Sequence, residues 1–452
     1  MKININIKFG SNDSFKVEGN GVDKTIEVTS VTTPHTEQLH CANNIFNILK
    51  QSELIPSETI LDLLNLSLAV YTADQLVSRN VYGYYHWNRY FEIYIPVTDL
   101  KGWQSVKDDL TETLSFLSGD KWKINFRKRD AFYKEPITRN NAIREIDKVS
   151  LFSGGLDSLI GAIDLLNNDE KIVLVGHHKK GGHDLDAQKK LVNELHKEFS
   201  KNIIYNHQFY VQPEFENNKD LAGEDTQRAR SFLFLTLGIA VANSYGEEIP
   251  LIIPENGLIS LNIPLTPTRL GTYSTKTTHP YFLRRFAEIL KRIGINNSLQ
   301  NPYQFKTKGE MIVDCQRHHA TLLSKISNNS ISCSKPGYYT RWRKKGTPDI
   351  TEVQCGHCIP CIIRRAAMHK GGIDKFEGNY VFDVKSFERS DNKGRGADLH
   401  AFKIGIQKYL TQNKLTIFEL LKSGALPEDD INKYLGVAKN GFEEVKKFIL
   451  DN

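Results

Sequence analysis

The sequence predicts an α/β protein built on a doubly wound parallel sheet, with an N-terminal α+β domain, a cysteine-rich segment and a helical C-terminal segment. Apolar strands alternate with amphipathic helices from residue 147, and a glycine-rich turn joins the first of these strands to its helix. The length of 452 residues is too great for one compact core. We place the domains at residues 1–145, 146–325, 326–372 and 373–452.

The composition is that of an ordinary water-soluble protein, with 40% hydrophobic and 25% charged residues. The net charge of +6 suits an anionic ligand and is too small to indicate nucleic acid. No apolar run approaches the ~20 residues of a membrane helix, and the N-terminus lacks the apolar core of a signal peptide. We therefore expect a cytoplasmic protein without a membrane partner, whose cysteines are reduced.

Residues 1–145 carry the patterns of a small α+β domain. Alternating apolar residues predict a strand over residues 3–9, and Thr25–Thr29 can pair with it. The other predicted elements are a helix over residues 58–79, a strand at Phe91–Val97, a helix at Val106–Leu117 and a strand at Trp122–Phe126. The polar stretch Thr138–Asn141 predicts a linker to the next domain.

An aromatic cluster in this domain has the composition of a protein interface. Its members are Tyr82, Tyr84, Tyr85, His86, Trp87, Arg89 and Tyr90. Aromatic residues with an arginine are enriched where partners bind, so we expect partner or dimer contacts here. Core packing of a strand pair is the alternative.

From residue 147 the pattern predicts a parallel sheet with helices on both faces, because the strands are short and rich in isoleucine, valine and leucine. The predicted strands are Val149–Phe152, Ile172–Val175, Ile203–Val211 and Leu251–Pro254, and the predicted helices are Ser158–Leu166, Leu185–Phe199 and Arg228–Ser244. Further helices are predicted at Leu399–Leu410, Ile417–Leu421 and Phe442–Leu450.

The turn after the first of these strands has the features of a phosphate-binding loop. It consists of Ser153, Gly154, Gly155, Leu156, Asp157 and Ser158. Two glycines let backbone N–H groups approach an anion, and the new helix adds unpaired N–H donors and its dipole. Asp157 is unfavourable beside bare phosphate and makes sense if Mg²⁺ or an ordered water lies between them. A tight turn with a capping serine is the alternative, but the surrounding strands and helices favour nucleotide binding.

The loop matches neither the GxxxxGK[ST] nor the GxGxxG pattern, and its SGGxDS sequence resembles the PP-loop signature. The resemblance implies an adenine nucleotide alpha-hydrolase-like fold and ATP as the cofactor. PP-loop enzymes cut ATP between its α- and β-phosphates, transfer AMP to an oxygen nucleophile and release pyrophosphate, which the loop holds. We expect Asp157→Ala to abolish pyrophosphate release and to leave the fold intact.

Four cysteines have the spacing of a metal site. Cys355, Cys358 and Cys361 form a CxxCxxC motif, and Cys333 lies upstream. Four thiolates suit a closed tetrahedral Zn²⁺ site, although ordinary thiols and an iron–sulfur cluster are alternatives. We expect Cys41 and Cys315, which have no partner nearby in sequence, to be core thiols.

The two motifs together, in this order, resemble those of the 7-cyano-7-deazaguanine synthase (QueC) family. That family carries an SGGxDS loop near its start and a C-terminal SC…CGxCxxC motif followed by an arginine, here Arg364. Weaker likenesses lie at Arg230, which precedes a phenylalanine-rich helix, and at Asn301–Met311. The resemblance covers about residues 147–372, and the longer build is similar to the QueC-like proteins of bacterial antiphage operons such as Qat (the QatC type).

The resemblance implies a specific activity. Family members adenylate the carboxylate of 7-carboxy-7-deazaguanine with ATP, ammonia converts the acyl-adenylate to an amide, and a second ATP converts the amide to a nitrile. In the defence branch, the acyl group is thought to pass to an amine of a partner protein, here expected from the same operon. The sequence leaves open which acceptor is used, and it does not fix the oligomeric state.

The chain departs from the family's pattern between Glu255 and Pro280, where the short substrate loop of the family is not recognisable. Because of this departure, the resemblance supports the adenylation step and does not extend to the nitrile-forming step. Arg269, Lys276 and His279 in this segment predict a substrate loop at the carboxyl end of a strand, where ligands bind in such sheets. A solvated surface loop is the alternative.

Two cations join Asp157 as candidate catalytic residues. Lys308 could neutralise charge on the α-phosphate, although a surface lysine at a helix start is the alternative. Arg230 begins a helix, where a cation opposes the dipole and an anionic ligand is therefore plausible. The basic run Arg341–Lys345 is more typical of a solvated face than of a nucleic-acid site. A PP-loop tRNA-modifying enzyme of the thiolase type and a non-enzymatic scaffold are the competing functions.

Overall fold

We describe the protein from a computed structural model. It describes residues 1–10, 13–18, 21–133, 145–200, 202–214, 221–266, 276–338, 353–384 and 396–450. The predicted linker Thr138–Asn141, the loop residue Arg269 and the basic run Arg341–Lys345 lie outside the described residues.

The N-terminal region contains a four-stranded sheet in the order β2-β1-β4-β5. Its strands are β1 (Lys2–Lys8), β2 (Lys24–Thr29), β4 (Tyr90–Val97) and β5 (Lys121–Lys128). The predicted pairing of the first two strands is confirmed, and the interior isoleucines of β1 are buried as their alternation requires. Every strand pair is parallel. The expected α+β domain is therefore wrong in this respect, because helices connect β2 to β4 and β4 to β5, and a parallel pair cannot be joined by a tight hairpin.

Five helices accompany this sheet: α1 (Ile45–Gln51), α2 (Glu58–Leu76), α3 (Arg79–Tyr82), α4 (Leu100–Ser105) and α5 (Lys107–Ser118). Helix α2 is buried on nearly all sides. It packs on β1, β2 and β4 and also on a helix of the second sheet. A helix that is apolar all round is stable only when it lies inside a protein, and here α2 lies within a core shared by both sheets.

The second sheet has six strands in the order β10-β9-β6-β7-β8-β3. They are β3 (Cys41–Asn43), β6 (Lys148–Leu151), β7 (Ile172–His178), β8 (Ile203–Pro213), β9 (Leu251–Ile252) and β10 (Leu299–Gln300). All pairs are parallel except that of β3, an edge strand from the N-terminal region. The predicted parallel α/β sheet is confirmed, and the domain boundaries stay a prediction.

Helices cover both faces of this sheet: α6 (Leu156–Asn167), α7 (His183–Glu198), α8 (Arg230–Tyr245), α9 (Gly257–Leu261), α10 (Pro280–Arg292) and α11 (Lys308–Ile326). Alternate residues of β7 face opposite cores. Val173 and Val175 pack in the core that contains α2 and α8, whereas Ile172 and Leu174 pack in the core that contains α6 and α11. The sheet is therefore doubly wound.

The C-terminal part is helical, with α12 (Ile359–Lys370), α13 (Ala397–Ile406), α14 (Ile417–Leu421) and α15 (Ile431–Leu450). A π-helical turn at Gln407–Thr411 continues α13. These helices share a third core with α9. Within the described ranges, no helix is both long and apolar enough to cross a membrane.

Candidate functional site

The turn between β6 and α6 has the backbone that its glycines predict. Gly154 has a φ of +82°, in the left-handed region that favours glycine. A Cβ atom at this position would lie 3.2 Å from the Gln188 side chain and 3.3 Å from the Asp184 carbonyl oxygen. Helix α6 begins at Leu156 with Gly155 as its N-cap, and no side chain caps it. Its first N–H groups are therefore available to an anion.

The side chains of the two loop serines, Ser153 and Ser158, lie close together. The Gly155 N–H donates to Ser153 Oγ at 3.2 Å, and the Ser158 hydroxyl donates to the Gly155 carbonyl at 3.0 Å. The two Oγ atoms lie 3.3 Å apart. Both hydroxyls thus lie beside the uncapped N-terminus of α6.

Asp157 is buried and held by two distant segments. Its Oδ1 lies 2.9 Å from Lys308 Nζ at the first position of α11. Its Oδ2 accepts from Asn256, at 3.2 Å from the backbone N and 2.7 Å from Nδ2. Although burial opposes ionisation, the Lys308 ammonium and hydrogen bonds to neighbouring side chains hold the pKa of Asp157 below its usual value. Asp157 therefore carries its negative charge at neutral pH.

Glu255 completes this group, and the sequence analysis did not select it. Burial and then the charge of Asp157 raise the pKa of Glu255 well above its usual value. Glu255 follows β9 closely, at the carboxyl edge of the sheet where ligands bind. That position was the signal available in the sequence.

A cavity of about 490 Å³ brings most of the predicted site residues together. It is lined by five residues of the phosphate loop, namely Ser153, Gly155, Leu156, Asp157 and Ser158. Arg230, Glu255 and Lys308 also line it. Gly154 is not part of the lining because it faces Gln188 and α7. The volume falls within the range of roughly 300–1,000 Å³ that is common for small-molecule sites.

Arg230 lies at the first position of α8 and lines the same cavity as the loop. Its Nε donates to His177 Nδ1 at 3.3 Å, and its Nη2 lies 3.2 Å from Asp184 Oδ2. Burial and then the positive charges of Arg230 and Lys179 hold the pKa of His177 well below its usual value. His177 is therefore neutral, and the guanidinium keeps part of its surface towards the cavity.

The three predicted substrate-loop residues are not brought together in the cavity. Thr277 and Thr278 line it, whereas Lys276 lies over the Phe116 ring, with Nζ 3.9 Å from the ring centroid. His279 is fully buried and caps α10, because its Nδ1 accepts from the Tyr281 N–H at 3.1 Å. Arg269 lies outside the described residues. The placement gives His279 a structural role, and substrate contact by the loop stays a prediction.

The four predicted metal ligands form one buried cluster. The sulfur atoms of Cys333, Cys355, Cys358 and Cys361 all lie within 4.8 Å of one another. Two of the sulfur pairs are 3.9 Å and 4.0 Å apart. A tetrahedral ion with metal–sulfur bonds of about 2.3 Å separates its sulfur ligands by about 3.8 Å. The spacing therefore fits a single ion such as zinc, whereas the thiolates of an iron–sulfur cluster bind different iron atoms and lie further apart.

The cysteine cluster and the phosphate loop are connected through the segment Ser327–Cys333. The Ile331 N–H donates to the Gly154 carbonyl at 2.9 Å. Arg364, three residues after the last cysteine, donates to Ser330 Oγ at 2.7 Å and to the Ser327 carbonyl at 2.8 Å. Cys333 itself lines the cavity. The cysteine cluster thus anchors one wall of the candidate site.

The aromatic cluster of the N-terminal region is divided by the structure. Tyr84 and Tyr85 are 72% and 82% exposed. Arg89 is instead buried, and its Nη2 lies 2.7 Å from Asp74 Oδ1 and 2.6 Å from Asp120 Oδ2. The expectation that Arg89 belongs to a surface patch is wrong, because its charge is neutralised inside the shared core. The exposed tyrosines remain available to a partner.

Comparison with known proteins adds no family assignment. No protein-family model matches the chain, and no match was found among curated proteins.

Proposed function

We propose that this protein is an ATP-dependent carboxylate–amine ligase of the PP-loop type that acts on 7-carboxy-7-deazaguanine. The observation that supports the proposal is the convergence of the phosphate loop, Lys308 and Arg230 on one cavity. A loop that offers free helix N–H groups, two hydroxyls and two nearby cations suits the stabilisation of a leaving pyrophosphate. The QueC-like sequence pattern supports the choice of substrate.

The proposed reaction has two steps. A carboxylate oxygen of the substrate attacks the α-phosphorus of ATP, the bond to the β-phosphate breaks and pyrophosphate leaves. An amine nitrogen then attacks the acyl carbon, AMP leaves and an amide remains. The protein contributes positioning and charge stabilisation, and no side chain acts as a covalent nucleophile.

The side chains around Asp157 are suited to Mg²⁺, which would neutralise charge on the phosphates when ATP is bound. Magnesium prefers hard oxygen ligands, and Asp157 and Glu255, which line the cavity together with the phosphate loop, would supply carboxyl oxygens. Lys308 offers a further positive charge, 2.9 Å from Asp157. Arg230, which also lines the cavity, is suited to an anionic group of the substrate or nucleotide.

The amine acceptor is ammonia or, in an antiphage setting, an amine of a partner protein encoded in the same operon. The exposed tyrosines 84 and 85 offer a surface for such a partner or for a second copy of the chain. The spacing of the cysteine sulfurs favours a single zinc ion, which counts against a tRNA thiolase that uses an iron–sulfur cluster. A cytoplasmic location is part of the proposal.

The test is pyrophosphate release from ATP and Mg²⁺ with and without 7-carboxy-7-deazaguanine, followed by mass spectrometry of the products and of any operon partner. We expect release that depends on the deazaguanine and a mass gain on the acceptor. Lys308→Met should abolish release, whereas Lys306→Met should retain it, because Lys306 is partly exposed and pairs with Asp314. Release that is independent of the deazaguanine would overturn the substrate assignment, and no turnover with any acceptor would favour a scaffold.

A further inference from the structure

The last helix of the chain, α15, packs behind the residues that hold Asp157. One contact is with α9, which follows Glu255 and Asn256 directly. A Cβ atom on Gly257 would lie 2.9 Å from Val437, and one on Gly441 would lie 2.6 Å from Leu258. The two helices therefore approach closely only because glycines stand at the contact. The C-terminal segment is thus packed against the helix that Asn256, one of the partners of Asp157, caps.

The second contact is with the start of α11, which carries Lys308. Glu444 of α15 is buried, with 8% of its side chain exposed. It accepts hydrogen bonds from the Thr307 hydroxyl and, at 3.3 Å, from the Gly309 N–H. Lys370 of α12 lies 2.8 Å from the same carboxylate. Glu444 therefore holds the residues on both sides of Lys308.

The Thr307 hydroxyl at the start of α11 is used both as a hydrogen-bond acceptor and as a donor. Thr307 Oγ1 accepts from the Glu310 N–H at 3.1 Å, and the Glu310 side chain accepts from the Thr307 N–H at 2.8 Å. This capping box uses the acceptor side of the Thr307 hydroxyl. The hydroxyl hydrogen is then directed to Glu444, so the helix cap and the buried carboxylate fix each other.

We propose that Glu444 is a positioning residue for Lys308, and that the C-terminal helix α15 is therefore part of the catalytic apparatus. This inference rests on the proposed function, in which Lys308 acts on the transferring phosphate. Glu444 does not reach the cavity itself. It sets the direction in which the first turn of α11 presents the Lys308 ammonium to Asp157 and the phosphates.

Substitution of Glu444 by glutamine separates this role from simple packing. The amide keeps the shape of the carboxylate but replaces one acceptor oxygen with an NH₂ donor. That donor must face either the Gly309 N–H, which cannot accept a hydrogen bond, or the Thr307 hydroxyl and the Lys370 ammonium, which in the wild type both donate to the other oxygen. The first turn of α11 should then shift, although the apolar packing of α15 is unchanged.

The matched control is Glu443→Gln. Glu443 is the preceding residue of α15, is about half exposed and pairs only with Lys446 among the described residues. We measure pyrophosphate release and the melting temperature for both variants. We also measure the rate at which acetic anhydride labels Lys308, with the partly exposed Lys306 as the internal reference.

We expect Glu444→Gln to lower kcat about tenfold with little change in the KM for ATP, because a misplaced group acts mainly on the transition state. Labelling of Lys308 should rise towards that of Lys306. Glu443→Gln should match the wild type in both measurements. If Glu444→Gln also matches the wild type, or if it loses activity only in proportion to a lower melting temperature with Lys308 still protected, the inference is overturned.

The inference stays testable if Glu444→Gln does not fold or if the wild type releases no pyrophosphate. If Glu444→Gln does not fold, Gly309→Ala takes its place, because the added methyl would lie 2.7 Å from the Glu444 carboxylate. The same changes in kcat and labelling are then expected, and their absence overturns the inference. If the wild type releases no pyrophosphate, the proposed function fails, while the labelling of Lys308 still decides whether Glu444 positions it.

Discussion

The buried pair of Asp157 and Lys308 gives the strongest stability prediction. Both side chains are less than a tenth exposed, and their charged atoms lie 2.9 Å apart. Asp157→Asn keeps the shape of the side chain and removes the counter-charge nearest to the buried Lys308 ammonium, so that Glu255 is the carboxyl group left beside it. Breaking a buried pair from one side typically costs about 3–5 kcal/mol. The expectation from sequence that replacing Asp157 leaves the fold intact is therefore revised to a large loss of stability.

The double variant Asp157→Asn with Lys308→Met tests this reasoning, because it removes the unpaired charge along with its partner. We expect its free energy of unfolding, measured by urea titration at pH 7, to exceed that of Asp157→Asn alone. Each single variant and the double variant complete a double-mutant cycle. If the double variant is less stable than Asp157→Asn, or if the two effects simply add, the pair does not stabilise the fold as described.

Three further predictions concern other parts of the chain. Cys358→Ser, or treatment with a strong chelator, should remove a single colourless metal ion, which atomic absorption measures. Either change should also weaken ATP binding, because the cysteine cluster anchors the segment that donates to the Gly154 carbonyl. An unchanged ATP affinity in calorimetry would contradict this prediction. Gly154→Ala should lower ATP affinity and cost about 1–2 kcal/mol of stability, because a left-handed φ is unfavourable for alanine; unfolding that matches the wild type would refute the assigned backbone. Burial lowers the pKa of His279 to about 3, so stability should fall as pH drops below about 6.5, by up to about 1.4 kcal/mol per pH unit. His279→Asn keeps a capping side chain and should reduce the pH dependence of unfolding, to which the buried His177 and His207 also contribute, whereas an unchanged pH profile would exclude His279 as a source.

Much of the fold follows from local patterns in the sequence. The predicted strands and helices around the phosphate loop lie close to the observed bounds, because buried strands and amphipathic helices carry their own periodicity. The predicted strand Leu251–Pro254 is too long, since the observed strand β9 is Leu251–Ile252. The edge strand β3 is three residues long and carries no periodic signal.

The site was predicted less completely, because its contacts join segments that are distant in the chain. The phosphate loop and the cysteine cluster were found because each has a local motif with fixed spacing. Glu255 and Asn256 were missed because only the fold brings them to Asp157. The role of Glu444 was hidden for the same reason, since one acidic residue on an amphipathic helix is usually solvated. His279 was assigned to substrate because loop position and residue type do not reveal that a side chain caps the next helix.

The most direct test of the central claim is the identity of the nucleotide formed from ATP. Incubation with Mg²⁺, 7-carboxy-7-deazaguanine and an amine, followed by chromatography, should yield AMP and pyrophosphate in equal amounts. That result would mean that the phosphate loop holds the pyrophosphate leaving group while the bond between the α- and β-phosphates is cut. Formation of ADP and inorganic phosphate instead would contradict the account.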